Sequence, residues 1–231
     1  MSPRQLKRYG MRLTIVYDNE VFDDSLGLET GWGFSCLIEL NEGNILFDTG
    51  WKGEALGRNL ERLGFSVKDI GLVVLSHQHW DHIGGLPYVM NQGSDLEIYV
   101  PASFSANMKR DIAGEHRLVE VSDAQKIFDG VYSTGEMGSR IKEQSLVLET
   151  DKGLLAVTGC AHPSLEAILE KAGEFGELYG VLGGFHGFNR FKALEGLGLI
   201  VLCHCTQHKK EIMELFPDVS ILGGVGYYID L

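Results

Sequence analysis

Cysteine is sparse in this chain: Cys36, Cys160, Cys203 and Cys205 are all there is in 231 residues. That excludes a disulfide-stapled scaffold, and reduced thiols in a cytoplasmic protein are the simpler expectation. Proline is almost as rare, at 5 against 30 glycines, so tight turns between short elements fall mainly to glycine. No apolar run approaches the roughly 18 residues of a membrane span. Residues 1–10 carry no apolar stretch of the secretory kind and read as a lead-in, with 11–231 as a single domain. Positive charge is also in short supply. Twenty Lys and Arg stand against 32 Asp and Glu, a formal net charge of −12. The basic stripe that marks nucleic-acid binding is missing, so neither nucleic acid nor membrane is expected as a partner.

What is present is an ordinary globular balance, 44% hydrophobic and 23% charged, in a length that can bury a full core. Alternation over residues 12–17 predicts a strand. Residues 34–40 and 44–48 predict a hairpin about the turn Asn41-Glu42-Gly43. Residues 55–63 place Leu56, Leu60 and Leu63 on one helical face before Gly64. Residues 70–75 form a short apolar run, as in a buried strand. The pattern recurs later: a hairpin at 144–149 and 154–158, a helix at 165–172, strands at 178–182 and 199–203, and a helix at 207–216. Two such halves suggest a layered sheet core with helices outside.

The chemistry concentrates at Ser76-His77-Gln78-His79-Trp80-Asp81-His82-Ile83-Gly84-Gly85. Three imidazoles and one carboxylate fall within six positions, directly after an apolar strand, where α/β proteins present functional side chains. Imidazole and carboxylate suit Zn²⁺ and Fe²⁺. In a turning segment, His77 and His79 can face one metal while Asp81 and His82, displaced by the turn, serve a second. By chance, H-x-H-x-D-H should arise on the order of once per thousand such sequences. Gly84-Gly85 is expected to permit a sharp turn into the next helix.

H-x-H-x-D-H followed by Gly-Gly resembles the signature of the metallo-β-lactamase superfamily, and Phe47-Asp48-Thr49-Gly50 resembles that family's first motif. The resemblance implies an αββα sandwich, with two mixed β-sheets face to face and helices on the outer faces. It implies further ligands at later strand ends, here His162 in Thr158-Gly159-Cys160-Ala161-His162 and His204 in Cys203-His204-Cys205-Thr206. One metal would take His77, His79 and His162, and the other Asp81, His82 and His204. Asp48 would orient a ligand or the attacking water. The family usually places a metal-bridging Asp between the last two of these histidines. No Asp lies there in this chain, and Gly183-Gly184-Phe185-His186 occupies the stretch. His186 is therefore a candidate metal ligand, proton donor or structural residue. With Asp81 as the only anionic ligand, two dications would keep a net charge of about +3. That points to a weaker second metal and an anionic substrate.

A narrower resemblance rests on Tyr17-Asp18-Asn19, Gly31-Trp32-Gly33-Phe34-Ser35, Gly183-Gly184-Phe185-His186 and His204-Cys205-Thr206. Together these are similar to the dihydropterin ribofuranosylaminobenzene phosphate synthase-like branch. The activity implied is hydrolysis of a small phosphate- or carboxylate-bearing substrate by a metal-bound hydroxide, with Asp81 in the catalytic centre. The alternatives are a pterin-diphosphate-dependent transferase, and a non-haem iron redox or metal-binding protein. Zn²⁺ is the expected metal, one or two per chain, with Mn²⁺ or Fe²⁺ as alternatives. A homodimer is left open. Among Trp32, Phe34, Trp51, Trp80, Phe185 and Phe188, which read either as core or as an aromatic wall, Trp32 and Phe185 are the candidate substrate contacts. His208, four residues after His204, reads as a surface residue or an added ligand. Cys203 and Cys205 read as packed small hydrophobes or as a thiolate ligand.

Overall fold

The computed structural model of the protein describes residues 10–41 and 43–231. The expected lead-in at residues 1–9 and the hairpin-tip Glu42 lie outside the described residues. The chain first runs β1 (Arg12–Tyr17), β2 (Ser35–Leu40), β3 (Gly43–Phe47), α1 (Gly53–Arg62), β4 (Ile70–Val74), α2 (Trp80–Ile83) and α3 (Leu86–Gln92). It continues through β5 (Glu97–Pro101), α4 (Ala106–Glu115), β6 (Arg117–Val121), β7 (Gln125–Phe128), β8 (Val131–Ser133), β9 (Leu146–Thr150) and β10 (Gly153–Thr158). Then come α5 (Leu165–Gly173), β11 (Leu178–Gly184), β12 (Leu199–Cys203), α6 (Lys209–Leu215), β13 (Ser220–Leu222) and β14 (Tyr228–Asp230).

These strands form two mixed seven-stranded sheets, in the orders β14-β1-β2-β3-β4-β5-β6 and β13-β12-β11-β10-β9-β8-β7. The period-two alternation of the strands explains the layering. Ile15, Phe47, Leu155 and Val157 point into the cluster between the sheets. Their neighbours Val16 and Leu46 instead join a cluster with Leu56 and Leu60 of α1 and Val89 of α3. Ala156 likewise joins Leu165, Ile168, Leu169 and Ala172 of α5. The helical spacing of those four puts one apolar stripe against the sheet. Each fully buried aliphatic side chain contributes about 1.5–3 kcal/mol, so the inner layer holds the two sheets firmly in register. This is the αββα sandwich that the sequence resemblance implies. Among the described residues, no helix is long and apolar enough to cross a membrane.

The register decides where the chemistry sits. β3 and β4 pair in parallel, as do β10, β11 and β12. Parallel strands deliver their C-terminal ends to the same edge. The segments following β3, β4, β10, β11 and β12 carry Asp48, His77, His162, His186 and His204. The two edges, one from each sheet, meet at a single rim.

Candidate metal centre

The backbone marks the rim before any side chain is considered. Asp48, Ala161, Ser164, His186 and His204 all hold positive φ, between 42° and 104°. Such conformations cost of order 1–3 kcal/mol each for non-glycine residues and persist where surrounding contacts impose them. Here the contacts are identifiable. The buried Glu143 accepts the backbone N–H groups of Gly159, Cys160, Ala161 and His162 at 2.9–3.1 Å. Asp18, buried beneath His204, accepts its backbone N–H at 2.9 Å. Burial pushes the Asp18 carboxyl up to about 6.

Six candidate ligands, the set the family resemblance implies, converge at this rim. The ligand atoms of His77, His79 and His162 lie within 4.8 Å of one another, and so do those of Asp81, His82 and His204. His77 Nε2 and His79 Nδ1 are 3.1 Å apart. Two nitrogens on one tetrahedral zinc at about 2.0–2.1 Å would stand about 3.3 Å apart, so the pair fits a common cation. The four-residue helix α2, which follows His79 directly, carries Asp81 and His82 away from the first pair.

The outer partners of these histidines fix which nitrogen faces inward. Asp48 accepts the Ser76 N–H and hydroxyl, both at 2.7 Å, and holds His82 Nδ1 at 2.6 Å. His82 Nε2 therefore points at the rim. Asn19 Oδ1 lies 2.9 Å from His204 Nδ1, directing His204 Nε2 to within 3.2 Å of Asp81 Oδ2. Ser76 Oγ lies 2.9 Å from His77 Nδ1. Ligand histidines are commonly oriented in this way, by a carboxylate, carbonyl or hydroxyl behind them. The buried Nε2 atom of His162 has no hydrogen-bond partner among the described residues. A buried, unpaired imidazole nitrogen is the chemistry a cation satisfies.

Protonation agrees. Burial, then repulsion from His79 and His186, pushes His162 down to about 4. Burial likewise lowers His77, His79 and His204. For His82, burial is outweighed by the adjacent Asp48 carboxylate, and its affinity for a proton rises. For Asp81, the His204 hydrogen bond and the charges of His82 and His204 overcome burial and hold the carboxyl well below its ordinary range. Four neutral imidazoles and one carboxylate thus stand ready as ligands near pH 7.

A family model described as the metallo-β-lactamase superfamily matches residues 32–171, which include H-x-H-x-D-H and His162. The chain belongs to the metallo-β-lactamase superfamily. One curated relative is the 7,8-dihydropterin-6-methyl-4-(β-D-ribofuranosyl)-aminobenzene-5'-phosphate synthase of Methanocaldococcus jannaschii. It is 27% identical over 80% of this chain and 85% of its own length. A second protein of that archaeon, of uncharacterised function, is 30% identical over 67% of this chain and 72% of its own length. Among solved structures, Tm1679, a metal-dependent hydrolase of the β-lactamase superfamily, superposes with a TM-score of 0.76. It is 23% identical and covers 96% of this chain and 99% of its own.

Within this superfamily fold, several sequence expectations need revision. His186 is exposed, its ring centroid 5.3 Å from that of His162, and it joins none of the ligand groups found among the described residues. Phe185 is 1% exposed and belongs to the apolar layer beneath α5, and it also lines the larger cavity beside His162. Phe34 is fully buried. Trp32 stays exposed and stands edge-on to His204 at 5.2 Å. Gly84 and Gly85 are needed for closeness, not for a turn. Gly84 is in ordinary helical conformation, and a Cβ on Gly85 would lie 2.2 Å from the Thr49 carbonyl oxygen. His208 turns away to Glu211 at 3.2 Å.

Sequence reasoning missed Glu143. No spacing rule connects it to the histidines it braces, and only its place just ahead of an apolar strand sets it apart. Asp18 and Asn19 were visible as a motif without a role; the structure gives them one behind His204.

Proposed function

We propose that the chain is a metal-dependent hydrolase acting on a small phosphate- or carboxylate-bearing substrate, with zinc as its metal. The observation that carries this reading is the set of six inward-facing donors, three of whose imidazoles are locked from behind by Asp48, Asn19 and Ser76. His77, His79 and His162 would hold one cation, and Asp81, His82 and His204 the other. Cations held there supply Lewis acidity, acidifying a water and polarising a phosphoryl or carbonyl oxygen.

The surroundings favour an anion. His162 is shared by two open cavities, of about 500 Å³ and about 390 Å³. Arg190 lines the first and Arg140 the second. Arg190 lies 3.4 Å from Glu166, a loose pairing on an exposed surface that an incoming phosphate or carboxylate can exchange. His186 lines the larger cavity beside His162, where it can hold or deliver a proton at the leaving group. Trp32 offers a flat apolar face next to His204.

A second reading has its own support. The 27% identity to the archaeal synthase extends over 85% of that protein. A pterin-diphosphate substrate would use the same arginines for its diphosphate and Trp32 for its ring.

Elemental analysis of protein purified without chelator, beside a His79→Ala variant, tests the shared premise. Two zinc per chain, reduced in the variant, is the expected result, and absence of metal under any supplementation overturns it. Phosphodiester and carboxylic-ester panels are then run against a dihydropterin diphosphate with its arylamine acceptor. Turnover of the panel supports the hydrolase; turnover of the pterin pair alone replaces it with the transferase.

A further inference from the structure

The bridging carboxylate typical of the superfamily is absent, yet the space for it is not empty. Gly184 ends β11, between the strand leading to His162 and the strand leading to His204. A Cβ built there would lie 2.4 Å from the Gly159 carbonyl oxygen and 2.7 Å from Cys205 Sγ. No side chain fits at Gly184, and sulfur fills the gap. Cys205 Sγ is 3.2 Å from Cys160 Sγ, and Cys160 Sγ is 3.1 Å from His82 Nε2, the nitrogen turned toward the rim.

Cys160 also has the right neighbours on both sides. Its sulfur groups within 4.8 Å with His77 and His82, and separately with His204 and Cys205. His77 belongs to one proposed cation and His82 and His204 to the other. The Cys160 sulfur is thus within ligand distance of members of both sets. The remaining cysteines are elsewhere: Cys36 and Cys203 are fully buried in the layer between the sheets.

From this the geometry points to a sulfur-bridged metal pair, in which the Cys160 thiolate replaces the missing bridging carboxylate and Cys205 adds a second thiolate on the Asp81–His82–His204 side. The inference rests on the metal-centre reading above. Zinc-bound sulfur stands about 2.3 Å from the metal, and nitrogen about 2.0–2.1 Å. A sulfur and a nitrogen sharing one tetrahedral zinc are then about 3.5 Å apart, close to the 3.1 Å found between Cys160 and His82. Charge favours it as well. Two dications with Asp81 alone keep about +3, and two thiolates bring that to about +1. Soft sulfur also selects zinc over manganese or magnesium, and the second cation is held tightly without any help from substrate.

The test is zinc X-ray absorption on the full chain loaded with zinc alone, in phosphate-free buffer. A sulfur shell at about 2.3 Å beside the nitrogen and oxygen shell is expected. Cys160→Ser should remove most of that shell and weaken the second zinc at least tenfold, read by competition with a chromophoric chelator. Cys36→Ala should leave the shell intact. Circular dichroism checks the fold of each variant, and the parent spectrum decides the matter even where a variant misfolds. Two bound zinc ions with only nitrogen and oxygen neighbours would overturn the thiolate bridge while leaving the metal centre standing. A Cys160–Cys205 disulfide in the zinc-loaded protein, found by mass spectrometry after alkylation, would do the same. Failure to bind any metal would remove both.

Discussion

Replacing Asp48 with asparagine exchanges one carboxylate oxygen for an amide N–H₂ in a fully buried site. The carboxylate now receives two donors from Ser76 and one from His82, at 2.6–2.7 Å. If the amide nitrogen took the Oδ1 place it would oppose the Ser76 backbone N–H, donor against donor. It therefore takes the Oδ2 place, facing Ser76 Oγ and His82 Nδ1. There it donates to His82 Nδ1, and the imidazole proton moves to Nε2, the nitrogen that should bind metal. Asn tolerates positive φ well, so the φ of 57° at this position adds no confounding strain. Loss of such an orienting partner weakens metal binding about 10–100-fold, equivalent to about 1.4–2.7 kcal/mol. The loss should fall on the cation held by Asp81, His82 and His204, and the one held by His77, His79 and His162 should keep its affinity. Stepwise zinc titration against a chromophoric chelator resolves the two. A folded D48N protein binding both zinc ions as tightly as the parent would refute the claim that Asp48 sets the His82 tautomer.

Glu143→Ala leaves four backbone N–H groups without their acceptor, and at about 1–3 kcal/mol for each unsatisfied donor we expect a loss of about 4 kcal/mol or more in urea unfolding; a loss under 1 kcal/mol would show that water replaces the carboxylate freely. Gly184→Ala should lower both thermal stability and zinc stoichiometry, because its Cβ meets backbone at 2.4 Å; unchanged stoichiometry would mean the loop can yield. Leu155→Ala, in the layer between the sheets and fully buried, should cost about 2–5 kcal/mol with zinc stoichiometry intact in the folded fraction. The metal-free protein should lose stability as pH falls from 6.5 toward 4. His162 titrates near 4 when folded and near 6.5 when unfolded, so the unfolded chain binds the proton first. The raised affinities of His82, Asp18 and Glu143 for a proton oppose this in part. Melting temperatures that rise on acidification over this window would contradict the assignment of neutral imidazoles.

The elements legible in the sequence were those with a strong period and a clear stop. Residues 12–17 coincide with β1, and the Leu56, Leu60 stripe lies on the buried face of α1. Beyond the helix expected after Gly85, the stretch from β5 to β8 shows no clear period in the sequence. β6 and β7 there are short and half-exposed, and α4 buries only Ile112, so neither period stands out against its polar neighbours. The six candidate ligands stand out because four sit in one dense local motif and the others close apolar strands. The rest of the site depends on distance in space. Glu143 braces a loop 16 to 19 residues downstream, and Asn19 reaches His204 across 185 positions. Cys160 and Cys205 meet only because β10 and β12 flank β11. His186 stands where the missing Asp is expected, and its positive φ of 46° comes with a side chain at the exposed surface, beside His162.

The ligands are divided between the two sheets, and that division imposes an order of assembly. His77, His79, Asp81 and His82 leave the ribosome about eighty residues before His162 and more than a hundred before His204. β14, which pairs with β1, emerges last of all. The early quartet by itself offers only oxygen and nitrogen donors. On the sulfur-bridge proposal, the site acquires sulfur only when Cys160 and Cys205 join it from the second sheet. On the sulfur-bridge proposal, discrimination among metals belongs to the finished sandwich rather than to the early quartet alone.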